Sequence, residues 1–188
     1  MSPCYRVCFV CTGNICRSPM AESVFRARIT EDGLDALVEV DSAGTGGWHE
    51  GDAADPRTLA VLRTGGYPST HAARQFRASW FARRDLVIAL DSGHLRALRR
   101  LAPTAEDAAK VRLLRSYSCG TSPAADPADL DVPDPYYGGF AGFEECLEMI
   151  ETACDGLLEA VRAEVTSTTP GPAEPRPGLH HPHHEESA

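Results

Sequence analysis

The residues best suited to chemistry lie in a short loop near the start of the chain, where five residues separate Cys11 from Arg17 and Ser18 follows directly. This length lets the backbone arch so that successive N–H groups point inward and surround the oxygens of a phosphate. Gly13 and Asn14 suit such an arch because they tolerate left-handed backbone conformations. A helix that begins near Ser18 would direct the positive end of its dipole at the same point. The spacing therefore predicts an anion-binding loop.

Cys11 is the candidate nucleophile of this loop. The inward N–H groups, the Arg17 guanidinium and the Ser18 hydroxyl would all stabilise its thiolate, which is the reactive form of cysteine. Arginine also offers a planar fork that matches two oxygens of a phosphoryl group, a fit that lysine lacks. The alternative is that Cys11 is a buried structural thiol beside a simple turn. That interpretation does not account for the coincidence of strand, loop length, arginine, serine and helix.

The elements that must position this loop follow from the hydrophobic pattern. A buried strand is predicted over residues 5–10, a short β-branched and aromatic run that ends at a Gly/Asn turn. A helix is predicted from about residue 18 to residue 30, where apolar residues recur at three- and four-residue spacing. The pattern further predicts strands at residues 37–41, 85–90 and 111–114 and helices at residues 56–64, 92–101 and 143–165.

This alternation predicts an α/β fold, a single domain over residues 1–165 with a doubly wound, four-stranded parallel sheet and helices on both faces. Sites in such sheets lie beyond the carboxyl ends of the strands, where the Cys11 loop is expected. Residues 166–188 are rich in Pro, Ser, Thr and His and are predicted to form a disordered tail. Four histidines of this tail could bind a transition metal weakly, but a solvated tail is the favoured interpretation. They are His180, His181, His183 and His184.

The composition of the chain argues against nucleic-acid binding and membrane binding. The formal net charge is −9, from 18 basic and 27 acidic residues, so the chain has no general basic footprint for nucleic acid or an anionic membrane. The longest apolar runs fall far short of the roughly 20 residues of a membrane span, and no signal-peptide pattern is seen. We expect a cytoplasmic monomer without a cofactor, with export by another route left open. Lys110 is the only lysine, a bias typical of bacteria with GC-rich genomes.

The seven cysteines are an odd number and indicate mostly reduced thiols rather than a disulfide framework. Cys8 and Cys11 form a C-x-x-C pair, which could suggest a metal or iron–sulfur site. The predicted domain has no second pair and no downstream histidine pair, and Cys8 lies within a predicted strand. We therefore expect no metal site.

The loop, together with the P-M-A-E sequence of residues 19–22, resembles the signature of the low-molecular-weight protein tyrosine phosphatases. The resemblance continues through residues 41–49, through His71 with Arg74, and through the D-P-Y-Y sequence of residues 134–137. It covers about residues 4 to 163 and leaves out the tail. It implies a sheet of flavodoxin-like strand order and the hydrolysis of phosphotyrosine in proteins through a phosphocysteine intermediate.

The resemblance assigns roles outside the loop as well. Asp134 would be the general acid that protonates the leaving oxygen and then the base that activates water. Composition alone leaves three further candidates nearby, Asp126, Asp129 and Asp131. Trp48 and Tyr136 would wall a pocket for a flat phosphorylated ring, and its depth would favour tyrosine over serine phosphate.

Within the loop, the resemblance assigns substrate binding to Thr12, Gly13, Asn14, Ile15, Cys16 and Ser18. Ser42 and His71 would brace the loop by hydrogen bonds through Asn14 and Ser18. Cys16 would lie near enough to Cys11 to form a reversible disulfide when the nucleophile is oxidised. The alternative, that Cys16 is a small residue packed beneath the loop, stays open.

Three competing functions fit less well. A thioredoxin-coupled arsenate reductase would need two further cysteines on a mobile segment, and residues 72–101 contain none. A protein arginine phosphatase would have threonine at the position of Ile15, the residue before the second loop cysteine. A phosphate-binding module without catalysis predicts the loss of Cys11, Arg17 or Asp134, and all three are present.

Overall fold

The computed structural model describes residues 4–167. Its strands are β1 (Tyr5–Cys11), β2 (Val38–Gly44), β3 (Leu86–Ala89) and β4 (Val111–Leu113). Its α-helices are α1 (Arg17–Glu31), α2 (Pro56–Thr64), α3 (Ser92–Leu101), α4 (Ala105–Ala109) and α5 (Phe140–Ser167). Short 3₁₀ turns occupy Ala78–Arg83, Leu114–Tyr117 and Pro127–Leu130. The strands are parallel in the order β2-β1-β3-β4, which confirms the predicted α/β fold and flavodoxin-like order.

Strand β1 is central because both of its faces are apolar. Val7 and Phe9 pack with α1, α2 and α5 on one face of the sheet, while Cys8 and Val10 pack with α3 on the other. All four side chains are fully buried. Because successive side chains of a strand point to opposite faces, one run of apolar residues contributes to the hydrophobic core on each side of the sheet.

Two helices have the bounds that the sequence predicts, and local chemistry explains why. Asp55 caps α2 by accepting a hydrogen bond from the Arg57 N–H at 2.9 Å, and Pro56 occupies the first helical position. Asp91 caps α3 in the same way, accepting from the His94 N–H at 2.8 Å. The capping residues therefore mark both starts in the sequence.

Other bounds differ from the prediction by a few residues, and one helix was missed. Strand β2 runs to Gly44 rather than residue 41 because the whole length of β1 pairs with it. Helix α5 begins at Phe140 rather than residue 143 and includes residues 166 and 167 of the predicted tail. Helix α4 has five residues, too few to show helical periodicity in the sequence. The rest of the predicted tail, with its four histidines, lies outside the described residues.

The connections from β1 and β3 diverge to opposite sides of the sheet. Strand β2 lies on one side of β1 and β3 on the other, so the loops after β1 and β3 open a crevice at the carboxyl edge. The Cys11 loop lies at this crevice. Within residues 4–167, no helix combines the length and the apolar character needed to cross a membrane.

Helix α5 packs so closely on the Leu114–Tyr117 turn that we expect Gly156→Ala to destabilise the fold. A Cβ at Gly156 would overlap the Tyr117 carbonyl oxygen, a backbone atom that cannot rotate away. Helix propensity alone favours alanine by about 1 kcal/mol. We expect the clash to outweigh it and to lower the free energy of unfolding by about 2 kcal/mol, measured by urea denaturation.

Gly142→Ala is the matched control in the same helix. A Cβ there would meet its nearest heavy atom at 3.8 Å, an ordinary contact. We expect this variant to be unchanged or more stable by up to about 1 kcal/mol. Equal stability of the two variants would contradict the close packing of α5 on the turn.

Candidate active site

The loop between β1 and α1 directs its carbonyl groups away from the crevice. Four of them accept hydrogen bonds from donors in other segments: Cys11 from Thr45 N (2.8 Å), Thr12 from Gly46 N (3.0 Å), Asn14 from His71 Nε2 (2.6 Å) and Ile15 from Asp55 N (2.8 Å). A planar trans peptide points its C=O and the following N–H in opposite directions. The N–H groups of residues 12, 13, 15 and 16 are therefore directed to the opposite side, as an anion cradle requires.

Asn14 holds the shape of the loop. Its φ of 57° is in the left-handed region, as the sequence predicts. Its fully buried side chain donates to Ser18 Oγ (2.8 Å) and Ser42 Oγ (3.0 Å) and accepts from the Arg74 N–H (2.9 Å). Asn14 thus joins the loop to α1, β2 and the segment after α2, and both predicted braces, Ser42 and His71, contact it.

Gly13 departs from the prediction. Its φ is not in the left-handed region, so the arch needs that conformation at Asn14 rather than at both residues. A different contact favours a small residue at this position. A Cβ at Gly13 would approach His49 Cδ2 to 3.0 Å, so a larger residue would crowd the rim of the crevice.

Cys11 lies at the base of the loop with its thiol against a hydroxyl. Its Sγ is 2.9 Å from Ser18 Oγ, and Cys11 is only 3% exposed. The Ser18 oxygen already accepts a hydrogen bond from Asn14, so its own proton is available to the sulfur or to the Ala43 carbonyl at 3.3 Å. When that proton points at Sγ, the Ser18 hydroxyl donates a hydrogen bond to the sulfur.

Arg17 is buried and oriented by groups from two other loops. Its Nη1 donates to Asp91 Oδ2 (2.8 Å) and to the Val132 carbonyl (2.9 Å), while its Nη2 lies 3.6 Å from Asp134 Oδ2. Burial raises the pKa of Asp91, but the His94 N–H and the Arg17 charge act against it and bring the pKa below its usual value. A fixed carboxylate therefore holds the guanidinium beside the cradle.

Together these groups surround a pocket of about 310 Å³. Its lining contains nine of the predicted residues, Cys11, Thr12, Gly13, Ile15, Cys16, Arg17, Trp48, Asp134 and Tyr136, together with His49 and Tyr137. The other predicted residues, Asn14, Ser18, Ser42 and His71, lie behind the loop. Trp48 is 76% exposed and Tyr136 40% exposed, so neither belongs to the core.

The four candidate aspartates in the loop before α5 have different contacts in the structure. Asp131 accepts hydrogen bonds from the N–H and hydroxyl of Ser92 at the start of α3. Asp126 caps the 3₁₀ turn that follows it, and the Asp129 carbonyl accepts from Arg115. Of the four, Asp134 is the one that lines the pocket.

Cys16 lines the pocket beside Cys11 but differs from it in environment. Burial, reinforced by the nearby Asp55 and Cys11, raises the pKa of the Cys16 thiol to about 12. Cys16 is therefore a protonated thiol at neutral pH. A disulfide between it and Cys11 stays a prediction.

Asp91 and His94 are site residues that the sequence analysis did not identify. His94 Nε2 lies 2.8 Å from Thr12 Oγ1, and burial lowers the pKa of His94 to about 4, so its ring is neutral near pH 7. Asp91 holds both the His94 N–H and Arg17. The position of Asp91, immediately after a strand on the same edge as Cys11, is the signal that would have revealed it.

A larger cavity of about 560 Å³ lies along β2 and has a different character. No cysteine lines it, and three of its arginines, Arg6, Arg26 and Arg84, already form ion pairs within the protein. Arg6 pairs with Glu39 at 2.9 Å, and Arg84 pairs with Asp41. The smaller pocket is the one that combines a nucleophile, a cation and a carboxylate.

Comparison with known proteins agrees with this site. Residues 6–167 match the family described as low molecular weight phosphotyrosine protein phosphatase. The chain is 73% identical over 161 residues to a low molecular weight protein-tyrosine-phosphatase of Streptomyces coelicolor, covering 86% of this chain and 96% of the relative. It is 46% identical over 170 residues to low molecular weight protein-tyrosine phosphatase A of Mycobacterium tuberculosis, covering 90% and 99%.

A solved structure shows the same fold. The crystal structure of a protein tyrosine phosphatase from Entamoeba histolytica, with Hepes in its active site, superposes with a TM-score of 0.78 at 32% identity, covering 85% of this chain and 98% of that chain. Sequence and structure agree with the resemblance that the loop motif indicated. The chain belongs to the low molecular weight phosphotyrosine protein phosphatase family.

Proposed function

We propose that this protein hydrolyses phosphotyrosine in protein substrates, with Cys11 as nucleophile, Arg17 as phosphate clamp and Asp134 as general acid and base. The observation that carries the proposal is the shared pocket of these three side chains, with the Cys11 sulfur 2.9 Å from the Ser18 hydroxyl oxygen. The names of the relatives support the substrate class.

In the first step, the thiolate of Cys11 attacks phosphorus. The S–P bond forms as the bond from phosphorus to the tyrosyl oxygen breaks, and that oxygen takes a proton from Asp134. Arg17 binds two equatorial phosphoryl oxygens, and the loop N–H groups bind the charge that develops in the transition state. A phosphoryl group in the cradle would compete with the Asp134 carboxylate for Arg17, whose Nη2 lies 3.6 Å from Asp134 Oδ2.

In the second step, water attacks the phosphocysteine. Asp134, now a carboxylate, takes the proton from that water. The P–S bond breaks, the thiolate of Cys11 is restored and inorganic phosphate leaves. The Ser18 hydroxyl stabilises the departing sulfur by donating a hydrogen bond to it.

The rim of the pocket favours an aromatic substrate over the alternatives. Trp48, Tyr136 and Ile15 offer apolar surface above the cradle, which suits the flat ring of phosphotyrosine. Ile15 also argues against phosphoarginine, whose polar guanidino group would lie against apolar lining. An arsenate reductase would need relay cysteines between residues 72 and 101, where the chain has none.

We expect phosphate to be released from a phosphotyrosyl peptide but not from phosphoseryl or phosphoarginyl peptides of the same sequence. Cys11→Ser should abolish the release because the alkoxide is not formed at neutral pH. Asp134→Asn should lower kcat/KM by about 10²- to 10⁴-fold through the loss of proton transfer. Turnover of the phosphoarginyl peptide alone would instead assign the protein arginine phosphatase activity.

We also expect the cradle to depend on Asn14. Asn14→Ala removes three hydrogen bonds and leaves a non-glycine residue in a left-handed conformation, which costs about 1–2 kcal/mol. The inhibition constant of inorganic phosphate should rise by about tenfold or more, since part of the buried network is left unpaired.

Asn14→Gly separates the two causes. Glycine restores the backbone freedom without the hydrogen bonds, so recovery of phosphate affinity would assign the effect to backbone strain. Ser42→Ala removes one of the three partners and should have a smaller effect. Unchanged phosphate affinity in Asn14→Ala would contradict the role of Asn14 in shaping the loop.

A further inference from the structure

We propose that Arg57 is a positioning residue that holds the segment carrying Asp134 and Tyr136 against the phosphate loop. The proposal rests on the function proposed for Asp134 above. Arg57 lies in the first turn of α2, outside the pocket lining. Its guanidinium connects segments that are far apart in the chain.

On one side, Arg57 is fixed to the phosphate loop through Asp55. Its Nε donates to Asp55 Oδ1 at 3.1 Å and its Nη2 to Asp55 Oδ2 at 3.0 Å, a two-pronged pairing that lysine cannot make. These bonds lower the pKa of the Asp55 carboxyl. The Asp55 N–H in turn donates to the Ile15 carbonyl at 2.8 Å.

On the other side, the same guanidinium contacts the segment beyond Asp134. Nη2 donates to the Tyr136 carbonyl at 3.1 Å and Nη1 to the Gly138 carbonyl at 3.4 Å. The guanidinium carbon lies 5.6 Å from the centre of the Tyr136 ring and 4.4 Å from that of Phe143, in the first turn of α5. Arg57 therefore contacts the backbone and the ring of the pocket wall at once.

Asp134 lies between two anchors, of which Arg57 is the second. The first is Val132, fully buried, whose N–H donates to the Leu90 carbonyl at 2.9 Å. Beyond Asp134 the backbone forms local turns, such as Gly138 N to the carbonyl of Pro135.

Arg57, the second anchor, is linked to the Asp134 carboxyl through Tyr136. The Tyr136 N–H donates to Asp134 Oδ1 at 3.1 Å, so a shift of the Tyr136 backbone moves the carboxyl. Two glycines follow Tyr137 and allow such a shift, because glycine restricts the backbone least. Loss of the Arg57 contacts would therefore misplace the Asp134 proton donor.

This role predicts a dependence on the leaving group. Phenyl phosphate releases a basic phenol, so its departure needs the proton of Asp134. The more acidic phenol of p-nitrophenyl phosphate departs with little help. A residue that positions Asp134 should matter for the first substrate and much less for the second, whereas a residue that only supports the fold should affect both equally.

The test compares kcat/KM for the two substrates in the wild type, Arg57→Met, Arg57→Lys and Asp134→Asn. We expect Arg57→Met to lose about 10- to 100-fold on phenyl phosphate and less than about threefold on p-nitrophenyl phosphate, since misplacement by ~1 Å can cost about 10²-fold. Arg57→Lys should recover little, because it lacks the fork. Arg63→Met, an exposed arginine later in the same helix, is the matched control and should match the wild type.

The ratio of the two rates on one protein sample is independent of the folded fraction, so partial unfolding of a variant does not obscure the result. The double variant Arg57→Met/Asp134→Asn should be no slower on phenyl phosphate than Asp134→Asn, because Arg57 acts through the acid. Equal losses on both substrates in Arg57→Met, or losses that multiply in the double variant, would overturn the proposal. Absence of leaving-group dependence in Asp134→Asn would instead overturn the proposed function of the acid.

Discussion

The outward orientation of the carbonyl groups in the loop after β1 is the constraint on which the rest of the site depends. A loop that binds an anion with its N–H groups must keep its carbonyl oxygens elsewhere, and buried carbonyls need donors. Here the donors come from the end of β2, the start of α2 and the segment after α2. The shape of the cradle is thus decided by donors that lie outside the loop itself.

The side chains proposed for catalysis also depend on contacts from distant segments. Arg17 can clamp a phosphoryl group only if its guanidinium is already oriented, and Asp91 after β3 and the Val132 carbonyl provide this. Parallel strands bring these loops to one edge because all four carboxyl ends lie there. Asp134 completes the site from a segment more than one hundred residues away in the chain.

Much of this arrangement is visible in the sequence. Three features depend only on residues that are close in the chain, and they can therefore be predicted without the tertiary structure. They are the Cys11 to Ser18 spacing, the burial of β1 and the capped starts of α2 and α3. The assignment of Asp134 among four nearby aspartates came from the resemblance, because the composition of this loop makes each of the four a candidate. The structure distinguishes them, because the Asp131 carboxylate accepts a hydrogen bond from the Ser92 N–H at the start of α3, away from the pocket lining.

By itself, the sequence predicted the four strands, the longer helices and a loop after β1 that carries the candidate nucleophile Cys11, because each depends on residues that are close together in the chain. Tertiary structure alone decided that Asp91 orients Arg17, that His94 meets Thr12 and that Arg57 joins two loops. These contacts link residues 74, 82 and 79 positions apart. No periodicity or spacing encodes them, since they arise only when the strands align their carboxyl ends and the long side chains meet across that edge.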